Sequence, residues 1–233
     1  MRHFARTAAL LLAGLAVACS APAAPAPDPT AVLRQAGQAM AGLHSVGADV
    51  KFGSGIAYQG LTLSSATTSI QLPGDSDTVL KVKQGDFLVD VRVVTTGGHT
   101  FVRLPFSQFT EVTGDQAKEI PDLSQLLDRR AGLPAVLTAG KDTKYQGSES
   151  LGGTDTDKVT TTYSADQVGQ LLGGAAKPAG DIQATVWAGR GDHYVRRVLL
   201  NGPLLEAGKN VQVQVDLRDF NKPVTITSPS TGT

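Results

Sequence analysis

Internal disulfides are excluded, because the chain carries a single cysteine, Cys19. The four histidines, His3, His44, His99 and His193, are too widely spaced for an HxxxH or HExxH metal site. No G-x-S-x-G nucleophile elbow occurs. Gly169, Gly173 and Gly174 share only their glycines with a phosphate loop, since Ala175 and Ala176 stand where Lys and Ser or Thr must follow. Asp155 and Asp157 lack the later ligands of a calcium loop and read as solvated strand ends. Asp192 and His193 fall in a turn from Gly189 to His193, which outweighs a catalytic dyad. Lys and Arg balance Asp and Glu at 21 each, with no basic run to suggest a nucleic acid partner. Beyond the first 18 residues no apolar stretch reaches the roughly 20 residues that cross a bilayer. No catalytic residue, metal or cofactor is expected, and weight shifts from catalysis to binding.

The amino end is richer. Arg2 and Arg6 precede an uncharged run, Thr7 to Ala18, of the length of a signal-peptide core. Ala16, Val17, Ala18 and Cys19 follow the order of a bacterial lipobox, with Leu15 one place early. A thiol there is required for attachment of a diacylglyceryl group, after which Cys19 becomes the first residue. An ordinary secretory signal with an incidental cysteine is the competing reading. Pro22, Pro25, Pro27 and Pro29 punctuate an Ala-rich stretch that cannot form a helix or a central strand. Residues 1–18 are therefore read as a signal peptide and 19–29 as the lipidated cysteine and its linker. Residues 30–228 are read as one domain and 229–233 as a flexible tail. The expected location is the outer face of the cell membrane, held by the lipid anchor. Loss of Arg2 and Arg6 leaves 19 basic against 21 acidic residues.

Within the domain, Val32, Leu33, Ala36, Ala39, Met40 and Leu43 recur at helical spacing over Asp28 to Leu43. The period then falls to two. Strands are predicted at Val46–Phe52, Leu61–Leu72, Val79–Lys83, Phe87–Thr95, Thr100–Leu104, Thr143–Leu151, Asp157–Tyr163, Ile182–Ala188, Val195–Leu204 and Asn210–Phe220. Gly97-Gly98 and Gly152-Gly153 mark hairpin turns. Pro121 to Ala139 suits two short helices, and Ala165 to Leu172 a third, with Ser164 as its N-cap. Alternation means that each strand buries one face and wets the other, as antiparallel sheets do. The expected fold is α+β: a curved antiparallel half-barrel of about ten strands, with short helices covering the concave face around an apolar cavity. A hollow plugged by its own helices is the competing picture.

Several stretches also resemble a known family. Gly132 to Val168 (GLPAVLTAGKDTKYQGSESLGGTDTDKVTTTYSADQV), Ala184 to Leu200 (ATVWAGRGDHYVRRVLL), Asp219 to Pro229 (DFNKPVTITSP) and residues 42–50 (GLHSVGADV) are similar to the actinobacterial lipoproteins LppX, LprA, LprF and LprG. The resemblance implies a fold related to the LolA and LolB carriers. It implies a cavity for the acyl chains of triacylated glycolipids or triacylglycerides, and carriage of such lipids across the envelope. It further implies a membrane transporter of the major facilitator class as partner. A structural or signalling lipoprotein, as RseB is on a similar fold, is the alternative function. About thirty methylenes at ~0.8 kcal/mol each make ~24 kcal/mol, which keeps such a lipid from crossing water unaided. The cavity should exceed the roughly 300–1,000 Å³ of common ligand sites. Alignment of the strand Val79–Lys83 with a cavity-lining strand of the family points to Val79, Leu80 and Val82, with a register uncertain by one residue. Val89, Val91, Val93, Phe101, Leu126, Leu133, Val136, Leu137, Ile182, Val186 and Val198 are further candidates, each with plain core packing as its competing role.

Overall fold

The computed structural model describes residues 25–53, 56–58, 61–118, 120, 126–171, 178–204 and 209–232. Residues 1–18 and Cys19 lie outside these. Along the chain run α1 (Pro29–Ala41), β1 (Ser45–Phe52), β2 (Ala57–Tyr58), β3 (Leu61–Gln71), β4 (Asp75–Gln84), β5 (Phe87–Thr96), β6 (His99–Arg103) and β7 (Thr110–Val112). Then come α2 (Asp115–Lys118), α3 (Leu133–Leu137), β8 (Lys141–Leu151), β9 (Thr154–Tyr163), α4 (Ala165–Leu171), β10 (Ile182–Gly189), β11 (Val195–Gly202) and β12 (Val211–Arg218). The predicted hairpins and the first helix are present. Asp28 caps α1, accepting from the Thr30 backbone N–H at 3.1 Å. Ser164 caps α4 in a reciprocal box: its Oγ accepts from the Gln167 N–H, and Gln167 Oε1 accepts from the Ser164 N–H.

All strands join one curved, open antiparallel sheet ordered β7-β6-β5-β4-β3-β1-β12-β11-β10-β9-β8, with β2 paired to β3. Two consecutive meanders, β3 to β7 and β8 to β12, meet only at the β1–β12 seam. Strand β4 is twice as long as predicted, because its first four residues, Asp75 to Thr78, carry no apolar signal. The short β2, β7 and α2 were not foreseen. Of the two helices predicted in Pro121 to Ala139, the second is α3. Residues 121–125 of the first fall outside the described residues, and Leu126 and Leu127 form a single helical turn.

One face of the sheet is apolar and the other charged, strand by strand. In β1, Val46, Ala48, Val50 and Phe52 share the concave face, while Asp49 and Lys51 share the convex one. Register carries the division outward. Opposite Val46, Ala48 and Val50 stand Ile70, Thr68 and Ala66 in β3. Opposite Ala48, Val50 and Phe52 stand Leu217, Val215 and Val213 in β12. The convex face is laced by cross-strand ion pairs: Arg92 with Asp77 at 2.5 Å, Lys81 with Asp90 at 2.9 Å, and Arg197 with Asp216.

Among the described residues, α1, α3 and α4 lie over one half of the hollow. Helix α1 packs on α3 and on β8, β9 and β10. Its Val32, Leu33, Ala36 and Met40 join Val46, Ile70, Leu137, Val159, Val186 and Val198 in the main core. A second cluster gathers Val136, Tyr163, Val168, Ile182, Ala184 and Val211 around α3 and α4. A third lies on the convex face: Val94, Phe101 and Phe109, with Ile226 packed against them. Thr231, in the segment read as a tail, forms a parallel bridge with Phe109.

Candidate functional site

The other half of the hollow is the concave face of β3 to β6, away from α1, α3 and α4. Pairing places Leu80 opposite Ala66 and Val91, and Val82 opposite Leu63 and Val89. Val93 lies opposite Thr78 and Val102. Leu63, Leu80, Val82, Val89, Val91 and Val93 therefore form one aliphatic stripe. Val82 is buried, as are Val91 and Val93, yet none of the three packed clusters formed by the described residues includes them.

Towards the Gly97–Gly98 end the same face changes character. Thr68, Ser76, Thr78 and Thr95 are buried there. The hydroxyls of Thr68 and Thr78 bond each other at 2.8 Å, which is how hydroxyls are kept in a buried position without loss. The stripe is thus greasy towards the Gly85–Asp86 turn and hydroxyl-lined towards Gly97–Gly98.

The stripe absorbs some of the sequence candidates and rejects others. Leu80, Val82, Val89, Val91 and Val93 are on it. Val79 is not: it stands between Thr67 and Arg92 on the convex face, in register with the charged Asp77 and Lys81. Phe101 is opposite Val94, also on the convex face, under Ile226. Leu126, Leu133, Val136, Leu137, Ile182, Val186 and Val198 belong to the two helix-covered cores. Val136, Leu137, Ile182 and Val186 are buried within those clusters, under α1, α3 and α4. Cys19 lies outside the described residues. Sequence reasoning missed Leu63, separated from Ala66 by a bulge, and the buried threonines, whose polar side chains mask a concave position.

Two open clefts flank the stripe. One of about 410 Å³ lies at the hydroxyl end, between Asp75, Gly97, Thr100 and Ile120. The other, of about 540 Å³, lies towards the Gly85–Asp86 turn, between Lys81, Leu88, Arg103 and Phe106. Both are rim features, and neither is the enclosed apolar cavity that the sequence led one to expect.

No chemistry converges on the stripe. No three His, Cys, Asp or Glu side chains come together as a metal site among the described residues. His99 Nδ1 meets Glu111 Oε1 at 2.7 Å on the exposed edge of β6. His193 sits in the Gly189–Tyr194 turn, as expected, with a φ of 60°. Asp157 accepts from the Tyr145 hydroxyl at 2.9 Å and faces Arg190 at 3.4 Å, a structural tie. In the helix-covered core, burial holds the Tyr163 phenol above its ordinary pKa, and its hydroxyl has no hydrogen-bond partner among the described residues. No described helix is long and apolar enough to cross a membrane.

A family model described as LppX_LprAFG lipoprotein matches residues 28–226. The chain is 28% identical over 231 residues to a Mycolicibacterium smegmatis protein named lipoarabinomannan carrier protein LprG, covering 96% of this chain and 92% of that one. It is 24% identical over 229 residues to the Mycobacterium leprae protein of the same name, covering 96% and 91%. The crystal structure of LprF from Mycobacterium bovis superposes with a TM-score of 0.71 at 23% identity, covering 89% of this chain and 99% of that one. The crystal structure of Mycobacterium tuberculosis lipoprotein LppX superposes at 0.62 with 25% identity, covering 85% and 98%.

Proposed function

The chain belongs to the LppX_LprAFG lipoprotein family, and from that membership we propose that it is an anchored carrier of acylated lipid. One observation carries the reading. The stripe of Leu80, Val82, Val89, Val91 and Val93 is aliphatic and concave, lies apart from the three clusters that the described residues form, and keeps Leu80 and Val89 partly exposed, which supports its use as a seat for acyl chains. Acyl chains laid on such a surface leave water at about 25 cal/mol per Å² of area removed. The hydroxyl-lined end is suited to ester or sugar oxygens, which need hydrogen bonds when buried.

The cargo is an acylated glycolipid, which the lipoarabinomannan carrier names of the relatives support, or a triacylglyceride. Cys19 carries the diacylglyceryl anchor, and residues 20–28 are the spacer to the domain, which α1 opens at Pro29. The protein binds and releases its cargo without chemical change and hands it to a transporter in the membrane.

The test is direct. Protein purified from a mycobacterial host is extracted with organic solvent and the extract analysed by mass spectrometry. Acylated glycolipid or triacylglyceride in near-stoichiometric amount is expected. An extract free of acyl lipid, from folded protein, overturns the carrier reading and leaves the sensor.

A further inference from the structure

The largest exposed apolar side chains among the described residues gather at one end of the sheet. Phe87 and Leu88 open β5 directly after the Gly85–Asp86 turn and are 76% and 60% exposed. Leu104 is 55% exposed and Phe106 wholly so, in the turn that follows β6. Scattered apolar residues on a surface are ordinary, whereas four at one tip mark a contact surface. Alternation puts Phe87 on the concave face with Val89 and Leu88 on the convex one, so both sides of the tip are greasy. Leu88, Leu104 and Phe106 line the same open cleft.

Phe106 is also held out against its backbone preference. The Ser107 N–H donates to the Leu104 carbonyl at 3.2 Å, closing the turn Leu104-Pro105-Phe106-Ser107. Proline in second place and a φ of 60° in third are the pattern of a type II turn, where glycine or asparagine is usual. A bulky aromatic there costs backbone strain and gains no core contact. Basic charge surrounds the tip. Register sets Lys51 and Lys81 on either side of Ser65 on the convex face, and Lys83 follows on the same face. Lys81 pairs with Asp90, Asp86 occupies the turn, and Lys83 has no anionic partner among the described residues.

We propose that this tip docks on a lipid bilayer containing anionic phospholipid, with Phe87, Leu88, Leu104 and Phe106 in the interface and the lysines among the headgroups. The proposal rests on the carrier reading and supplies its point of loading. Phe87, Val89, Val91 and Val93 form a continuous track along β5. Exposure along it falls from three-quarters at the tip to under a tenth in the hollow, which gives an acyl chain a greasy path out of the bilayer. The tether favours a membrane over any other occupant. Nine residues, Ser20 to Asp28, separate Cys19 from α1, and nine residues reach at most about 32 Å, so a lipid anchor at Cys19 keeps the domain beside the bilayer.

The experiment uses the chain from Ser20 onward, which retains every described residue. It is sedimented with vesicles of phosphatidylcholine, with and without one quarter phosphatidylglycerol. Binding to the anionic vesicles, weakened by salt, is expected. The double variant Leu104→Ser, Phe106→Asn should keep its melting temperature, since both side chains are exposed and asparagine suits the turn. It should lose at least tenfold in vesicle partitioning. It should also take up a fluorescent triacylated lipid from ethanol as the unaltered chain does, but extract that lipid from vesicles at least tenfold more slowly. Leu80→Trp should do the reverse, keeping vesicle binding and losing uptake. No vesicle binding by the unaltered chain, or equal binding by the double variant, overturns the proposal and returns the tip to a protein partner. No lipid uptake by the unaltered chain together with vesicle loss in the double variant sinks the carrier reading while docking stands.

Discussion

Arg218 grips Asp49 across the seam where the two meanders of the sheet meet, its Nε donating to Oδ2 at 2.7 Å and its Nη2 to Oδ1 at 3.3 Å. The two residues are 169 positions apart in sequence. Arg218 also bonds Asp219, which Lys222 holds at 2.6 Å, and Thr67 donates to Asp49 at 3.0 Å. The convex side of the seam is therefore a small ionic network, with the apolar side directly beneath.

The Arg218 hydrogen bond holds the Asp49 carboxyl below its ordinary range. Stability from a depressed carboxyl is present above the unfolded value of about 3.9 and is lost as pH falls through the folded one. Asp49→Asn should therefore lower stability at pH 7, and its gap from the unaltered protein should narrow as pH falls below about 3.9. Both side chains are 42% exposed, which limits the loss to about 1 kcal/mol or less. Urea denaturation at pH 7 and pH 3 measures it, and an undiminished gap at pH 3 would refute the assignment.

Leu80→Trp and Val82→Trp each place an indole on the concave stripe. Lipid uptake should fall at least tenfold. Val82 is almost wholly buried, so its replacement should also cost about 1–3 kcal/mol. Val79→Trp, one residue away on the other face, should load normally. Equal loading by all three would remove the stripe from the binding site.

How legible this was in the sequence differs from strand to strand. Phe87 to Thr95 and Asn210 to Phe220 announce themselves by alternation, and the glycine pairs fix their turns. Strand β4 also carried the answer to its own register. Asp77, Lys81 and Lys83 share parity with Val79, so the charged residues assign Val79 to the wet face. The error came from reading Val79, Leu80 and Val82 as a run. Phe101 was harder, because His99 and Arg103 mark its face as outer while the segment from Ile226 to Thr231 covers it. Periodicity within one strand cannot see a cover that comes from more than a hundred residues away. The helix-covered cores were equally invisible as such, since Ile182 and Val186 alternate just as stripe residues do.

Phe101→Ala should leave lipid uptake intact and reduce stability by about 3 kcal/mol, through loss of packing with Val94 and Phe109. Calorimetry together with the uptake assay separates the two roles. Lost uptake without lost stability would return Phe101 to the binding site.

Tyr163→Phe removes a buried hydroxyl that has no partner among the described residues. Deleting an orphaned polar atom removes a desolvation cost, so urea denaturation should show stability unchanged or raised by about 1 kcal/mol. A loss of more than about 1 kcal/mol would mean that the hydroxyl is bonded.

The seam has one more implication, for the timing of folding. Residues at the two ends of the domain sit side by side in the middle of the sheet, while the middle of the chain supplies both outer borders. Each meander can zip up locally, but the pairing of Ala48 with Leu217 must wait until nearly the whole chain has left the ribosome. A polypeptide with a leader of the kind read in residues 1–18 must be threaded through a membrane as an open strand. An architecture whose keystone arrives last is suited to staying unfolded until that passage is complete.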